Sequence, residues 1–163
     1  MEPTIPADRF LERIPKMNEQ IRAFLDTDVL MRYYQGDRDI AKLFEDKALE
    51  KTRYSISPIV IQELLLGLDK STMKQIDFDK LSHLVEIVSN EDMIDETNKS
   101  KELEFLRSTT TKLHVNDYLN LFAARRSHCD FFVTNDAELL GLHHVSALQI
   151  VTPDAFLHLE AVS

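Results

Sequence analysis

A single cysteine, Cys129, excludes an internal disulfide and disfavours a cysteine-built zinc site within the chain. It stands just before the apolar run Phe131-Phe132-Val133 and reads as a buried, unreactive thiol. Glycine and proline are scarce too, at three and five residues, which leaves no room for a long disordered linker. The most apolar stretch, residues 59–68, is interrupted by Gln62 and Glu63 and is too short to span a bilayer. The first seven residues show no basic start followed by an apolar segment, so no targeting signal is expected and the cytoplasm is the expected location. Cations are in short supply: 19 Lys and Arg stand against 28 Asp and Glu, a formal net charge of −9. Taken alone, that balance counts against a nucleic-acid binder, because phosphate contacts need cations. The acids form either a solvated surface or a carboxylate cluster around a cation that reverses the local sign. Their positions decide between the two.

What is present suits one domain. With 163 residues, 44% of them hydrophobic and 29% charged, the chain can bury a substantial core. Five β-prone runs fall at 23–25, 54–57, 84–88, 131–134 and 149–151. Between them apolar residues recur at helical spacing: Ile40, Leu43, Phe44 and Ala48; Val60, Leu64, Leu65 and Leu68; Tyr118, Leu119, Phe122 and Ala123. Residues 91–111 are polar, with Met93, Leu103 and Leu106, and predict a more exposed helix. Strands alternating with helices predict an α/β domain with a mostly parallel five-stranded sheet covered on both faces. Residues 1–20 form an extension in which Phe10, Leu11 and Ile14 predict a short helix ended by Pro15. The domain proper is 21–163.

In open α/β sheets, ligands gather at the carboxyl ends of the strands. Asp26 directly follows Ala23-Phe24-Leu25, and Asp136 follows Phe132-Val133-Thr134-Asn135. Each can also serve as a plain helix cap. Ser57-Pro58 is a helix start, with Ser as N-cap and Pro in the first turn; Glu63 then shares a face with Val60 and Leu66 or Gly67 in an otherwise aliphatic run. A solvent-facing Glu63 is the plainer alternative. Asp117 opens the helix leading into the 131–134 strand, where an acid also suits the helix dipole. Together Asp26, Glu63, Asp117 and Asp136 are expected at one sheet edge, although Ser, Thr or Asn would cap equally well. Clustered carboxylates repel unless cations neutralise them, and all-oxygen ligands favour Mg²⁺ or Mn²⁺ over zinc.

The strings Phe24-Leu25-Asp26-Thr27-Asp28-Val29-Leu30, Ser57-Pro58-Ile59-Val60-Ile61-Gln62-Glu63-Leu64, Val115-Asn116-Asp117-Tyr118-Leu119 and Asp130-Phe131-Phe132-Val133-Thr134-Asn135-Asp136 resemble the PIN-domain family. That family includes the toxin nucleases of bacterial and archaeal toxin–antitoxin pairs. The strings come in the family's order and span about residues 22–157. The resemblance implies a three-layer α/β/α nuclease domain that cuts single-stranded RNA with one or two Mg²⁺ or Mn²⁺ ions. Asp26, Glu63 and Asp117 would hold the principal ion, and Asp136 would complete the site or bind a second. Thr27, Asp28, Thr134 and Asn135 would orient them by hydrogen bonds. An antitoxin protein and a second copy of the chain are the implied partners, with no membrane involved. Three features depart from the family's pattern: Asp28 where Asn or Ser is commoner, the long polar stretch between Glu63 and Asp117, and the N-terminal extension.

Two other readings compete. Asp26-Thr27-Asp28 resembles the acid pair of haloacid-dehalogenase-type phosphatases, but that family wants Thr where Leu30 stands. A PIN-fold module that binds RNA or protein without cutting is the other, and the intact acids count against it. Arg125-Arg126 near His128, and Lys70 with Lys74, are candidates for RNA phosphate contacts; otherwise they are surface charges. His143-His144 are expected in a loop, without a metal role. The apolar side of 40–49 and the N-terminal helix are the expected surfaces for self-association.

Overall fold

The computed structural model describes residues 20–88 and 113–162. The expected helices at 1–20 and 91–111 lie outside these residues, apart from Gln20. Within them the chain builds β1 (Ile21–Leu25), α1 (Thr27–Tyr34), α2 (Arg38–Ala41), a 3-10 turn (Lys42–Phe44), α3 (Asp46–Lys51) and β2 (Thr52–Ile56). It continues through α4 (Pro58–Gly67), α5 (Lys70–Lys74), α6 (Phe78–Leu84) and β3 (Val85–Ile87). After the undescribed stretch come α7 (Val115–Arg126), β4 (Phe131–Val133), α8 (Ala137–Leu140), β5 (His144–Val145), β6 (Leu148–Val151) and α9 (Pro153–Val162).

One six-stranded sheet runs in the order β3-β2-β1-β4-β6-β5. All pairings are parallel except β5 against β6. The five expected strands are all present, and the sixth, β5, is an antiparallel edge strand of two residues. It was missed because His144-Val145 is too short to show alternation. His143 and Ser146 flank it at φ 61° and 56°, left-handed positions rare outside glycine. Only His143 of the expected loop histidines therefore remains in a loop.

Side-chain alternation places different groups on the two faces of the sheet. On one, Tyr54 and Phe131 meet Phe44 and Phe156 at ring-centroid distances of 5.4 Å for Phe44–Tyr54 and Phe131–Phe156. On the other, Phe24 and Phe132 of neighbouring strands stack at 5.2 Å. Helices flank the sheet, and nothing in the described helices is long and apolar enough to cross a membrane.

The segment 40–49 differs from expectation. It is not one helix with an outward apolar side. Asp37 caps α2 and Glu45 takes an extended conformation (φ −69°, ψ 152°), so the chain bends twice. The bends turn Ile40, Leu43 and Ala48 inward, at 4%, 0% and 6% exposure, so these positions serve the chain's own core and not self-association.

Candidate active site

The strand order places β2 on one side of β1 and β4 on the other, so connections leave β1 in opposite directions. The crevice beyond the carboxyl ends of β1 and β4 is the switch point where such sheets bind ligands. Asp26 sits at its centre. Its backbone N–H donates to the Val133 carbonyl of β4 at 3.0 Å, which ties the end of one strand to the other. The residue is 7% exposed, with Oδ1 accepting from Thr27 N at 2.8 Å and Oδ2 from Thr134 Oγ1 at 2.8 Å. Burial, and then the charge of Asp28, raise its carboxyl to about 7, against the pull of the Thr134 and Thr27 hydrogen bonds. Asp117 adds to the rise.

The other acids approach from three helix N-termini and one helix side. Asp28, in the first turn of α1, accepts from Asn135 N at 3.0 Å through Oδ2. Its Oδ1 is buried without a hydrogen-bond partner, as is Nδ2 of Asn135. Asp136 caps α8, accepting from Glu138 N at 2.8 Å, while its own N–H donates to Thr134 Oγ1 at 3.0 Å. The Thr134 hydroxyl, fully buried, thus links Asp26 to Asp136. Asp117 in the first turn of α7 accepts from His114 N at 3.1 Å through Oδ2. Glu63, half-buried on α4, accepts from Thr27 Oγ1 at 3.1 Å. It neither faces solvent freely nor shares the packed face: Val60 and Leu64 form that face, while Leu66 is 79% exposed.

Electrostatics shows which acids feel one another. Burial first, and then the charge of Asp136 among the raising causes, push the carboxyls of Asp28 and Asp117 above the usual range. Asp26, Asp28, Asp117 and Asp136 are therefore one interacting set, to which Thr27 joins Glu63. Among the described residues, however, no three His, Cys, Asp or Glu side chains converge as a ready-made metal site. Two of the acids are engaged by local caps. Repelling carboxylates turn toward nearby N–H donors, as Asp136 does to Glu138 and Asp117 to His114. The acids thus cap their helices and also feel one another's charge.

A PIN-domain family model matches residues 23–145, about three quarters of the chain. The chain belongs to the PIN-domain family. No curated protein matches it. Among solved structures, VapBC2 from Rickettsia felis bound to a promoter DNA fragment has a TM-score of 0.65 at 18% identity, covering 81% of this chain and 98% of that one. VapBC-1 from nontypeable Haemophilus influenzae reaches 0.60 at 16% identity, with 82% and 99% covered. Mycobacterium tuberculosis VapC20, described as a sarcin-ricin loop cleaving toxin, reaches 0.55 at 14% identity, with 78% and 98% covered. At these identities the likeness is one of fold.

The donor set of this PIN domain fits a hard divalent cation. Asp28 has a buried oxygen with no donor, and the buried Asp26 carboxylate is destabilised by like charges that a cation would offset. Asp28, expected only to orient its neighbours, thus offers an oxygen of its own. Sequence reading also missed Asn120, 1% exposed on α7, and Arg32, whose charge reaches Asp28. Arg125 and Arg126 lie in the last turn of α7, about 12 Å along the axis from Asp117 at 1.5 Å per residue. That puts them toward the opposite edge of the sheet from the acids.

Proposed function

We propose that this PIN domain is a divalent-metal-dependent endoribonuclease acting on single-stranded RNA as the toxin of a toxin–antitoxin pair in the cytoplasm. The observation that carries it is the interacting carboxylate set around buried Asp26 at the sheet's switch point. Membership of the PIN family and the VapBC folds support the toxin assignment. Asp26, Glu63, Asp117 and Asp136, with the free oxygen of Asp28, would hold Mg²⁺ or Mn²⁺. Bound there, the cation supplies Lewis acidity and a water of lowered pKa for attack on phosphorus.

The chain's own groups prepare that chemistry. Thr134 fixes Oδ2 of Asp26, and the Thr27 N–H fixes Oδ1, so the central carboxylate is already oriented. The Thr27 hydroxyl holds Glu63 beside it. Asn135 donates its backbone N–H to Asp28 and so draws the β4–α8 turn onto α1. Asp26 must lose its proton before it can act as a ligand, so cleavage at limiting metal should weaken below about pH 7.

RNA cleavage measured with Mn²⁺, with Mg²⁺ and with EDTA, alongside Asp26→Asn, tests this. Cutting should need the metal and fall at least about 100-fold in the variant, the upper range of loss for an outer partner of a ligand. Cutting that persists in EDTA, or in Asp26→Asn, would overturn the proposal; RNA binding without cutting would favour the non-catalytic module.

An antitoxin and a second copy of the chain are the proposed partners. With 40–49 committed to the core, exposed Leu66 on α4 and Val115 on α7 are the better candidates for contact, at 79% and 66% exposure. Light scattering showing only monomer at high micromolar concentration would rule out the homodimer.

A further inference from the structure

Two of the proposed ligands, Glu63 and Asp117, come from helices far apart in sequence, α4 and α7. One buried polar pair joins these helices. Ser57, the N-cap of α4, donates its hydroxyl to Oδ1 of Asn120 at 2.6 Å. The Ser57 hydroxyl oxygen in turn accepts the Val60 N–H at 3.3 Å. Ser57 is 0% and Asn120 1% exposed, so both partners are shielded from solvent.

The placement of the pair matters. Asn120 lies one turn along α7 from Asp117, so the two share a side of the helix. Ser57 fixes the start of the helix that carries Glu63. Asn120 is also the polar exception among Tyr118, Leu121, Phe122, Ala123 and Ala124, all buried on α7. Burying an amide costs free energy unless it is hydrogen-bonded, and a leucine there would serve packing better. Buried polar pairs of this kind set register where apolar packing would allow the elements to slide.

Resting on the metal-nuclease proposal above, we infer that the Ser57–Asn120 hydrogen bond positions Glu63 and Asp117 for one cation by locking α4 against α7. Neither residue touches the cation or the RNA. Both act through the helices they join.

The test uses the full chain with Asn120→Leu, Ser57→Gly and the double variant. Glycine is nearly as good an N-cap as serine, so Ser57→Gly removes the link while keeping the helix start. Mn²⁺ affinity is read by titration calorimetry, with melting temperature and RNA cleavage measured alongside. Each single variant should bind Mn²⁺ more weakly, by up to about tenfold, the lower end of the loss when a group bonded directly to a ligand is removed. The double variant should be little worse than either single, because both remove the same link. A melting temperature that falls while Mn²⁺ affinity stays at the wild-type value overturns the inference, since a purely structural pair behaves that way. If Asn120→Leu does not fold, Ser57→Gly alone decides by the same criterion. A wild type that neither binds Mn²⁺ nor cuts RNA overturns the nuclease proposal and this inference with it. Intact wild-type binding matched by the variants overturns the inference alone.

Discussion

Asp26 carries the strongest conflict at the scale of a single residue. It is held by two hydrogen bonds that favour its charge, yet burial and like charges raise it from 3.8 to about 7. Between those values the folded chain binds more protons at Asp26 than the unfolded chain does. Stability of the metal-free protein should therefore fall as pH rises through that window and level off above it. Asp28 and Asp117 are shifted in the same direction and act with the same sign. Melting curves in EDTA from pH 5 to 8 check this against Asp26→Asn, which should lose much of the decline and melt higher than wild type at pH 8. Saturating Mn²⁺ should flatten the wild-type slope, since the cation stabilises the carboxylate. A metal-free wild type whose melting temperature rises across the window, in step with the variant, would mean that Asp26 is already ionised. Its position after Ala23-Phe24-Leu25 was legible in the sequence. Its perturbation was not, because that depends first on burial by elements distant in sequence and then on the charges of Asp28 and Asp117.

Among the elements, the strands were the most legible, because Phe24 and Phe132 sit in apolar runs that only a covered sheet can absorb. The bend at Glu45 was not, since glutamate is a good helix former, yet here it stands extended between the 3-10 turn and α3. The start of α4 was written in Ser57-Pro58, but the orientation of Glu63 depends on Thr27, 36 residues away. For α7 the sequence left two roles for Asp117, and the structure gives it both: a bond from His114 N and the repulsion of Asp136. Asp117→Asn separates them. The amide keeps an oxygen to accept from His114 and removes one charge from the set. The metal-free melting temperature should stay equal or rise, the Mn²⁺-induced increase should shrink, and cleavage should be lost. A metal-free variant melting well below wild type would make Asp117 a structural cap.

At the scale of the whole molecule, a net charge of −9 has to be reconciled with a polyanionic substrate. The described structure gives the metal-free chain little to offer RNA at the acidic edge. Arg22 and Arg53 both pair with Glu86, at 3.4 and 3.1 Å, and Arg125 and Arg126 sit toward the far edge of the sheet. Near the acids, Arg32 supplies a cation whose charge reaches Asp28. Divalent ions at the carboxylates would therefore provide much of the local positive charge that holds the phosphate. RNA affinity should be weak in EDTA and appear on adding Mn²⁺, measured by fluorescence anisotropy on a phosphorothioate oligoribonucleotide chosen to slow cutting. Each phosphate neutralised on a single strand contributes about −0.7 to the slope of log K against log salt. With few cations at the edge among the described residues, the slope in Mn²⁺ should be shallow, about 2 or less in magnitude. Arg32→Gln should make it shallower still, and Arg126→Gln should leave it unchanged. Tight binding in EDTA with a steep slope that Arg126→Gln reduces would reverse the picture: RNA would then be held by the far edge of the sheet, and the acidic edge would not be where it docks.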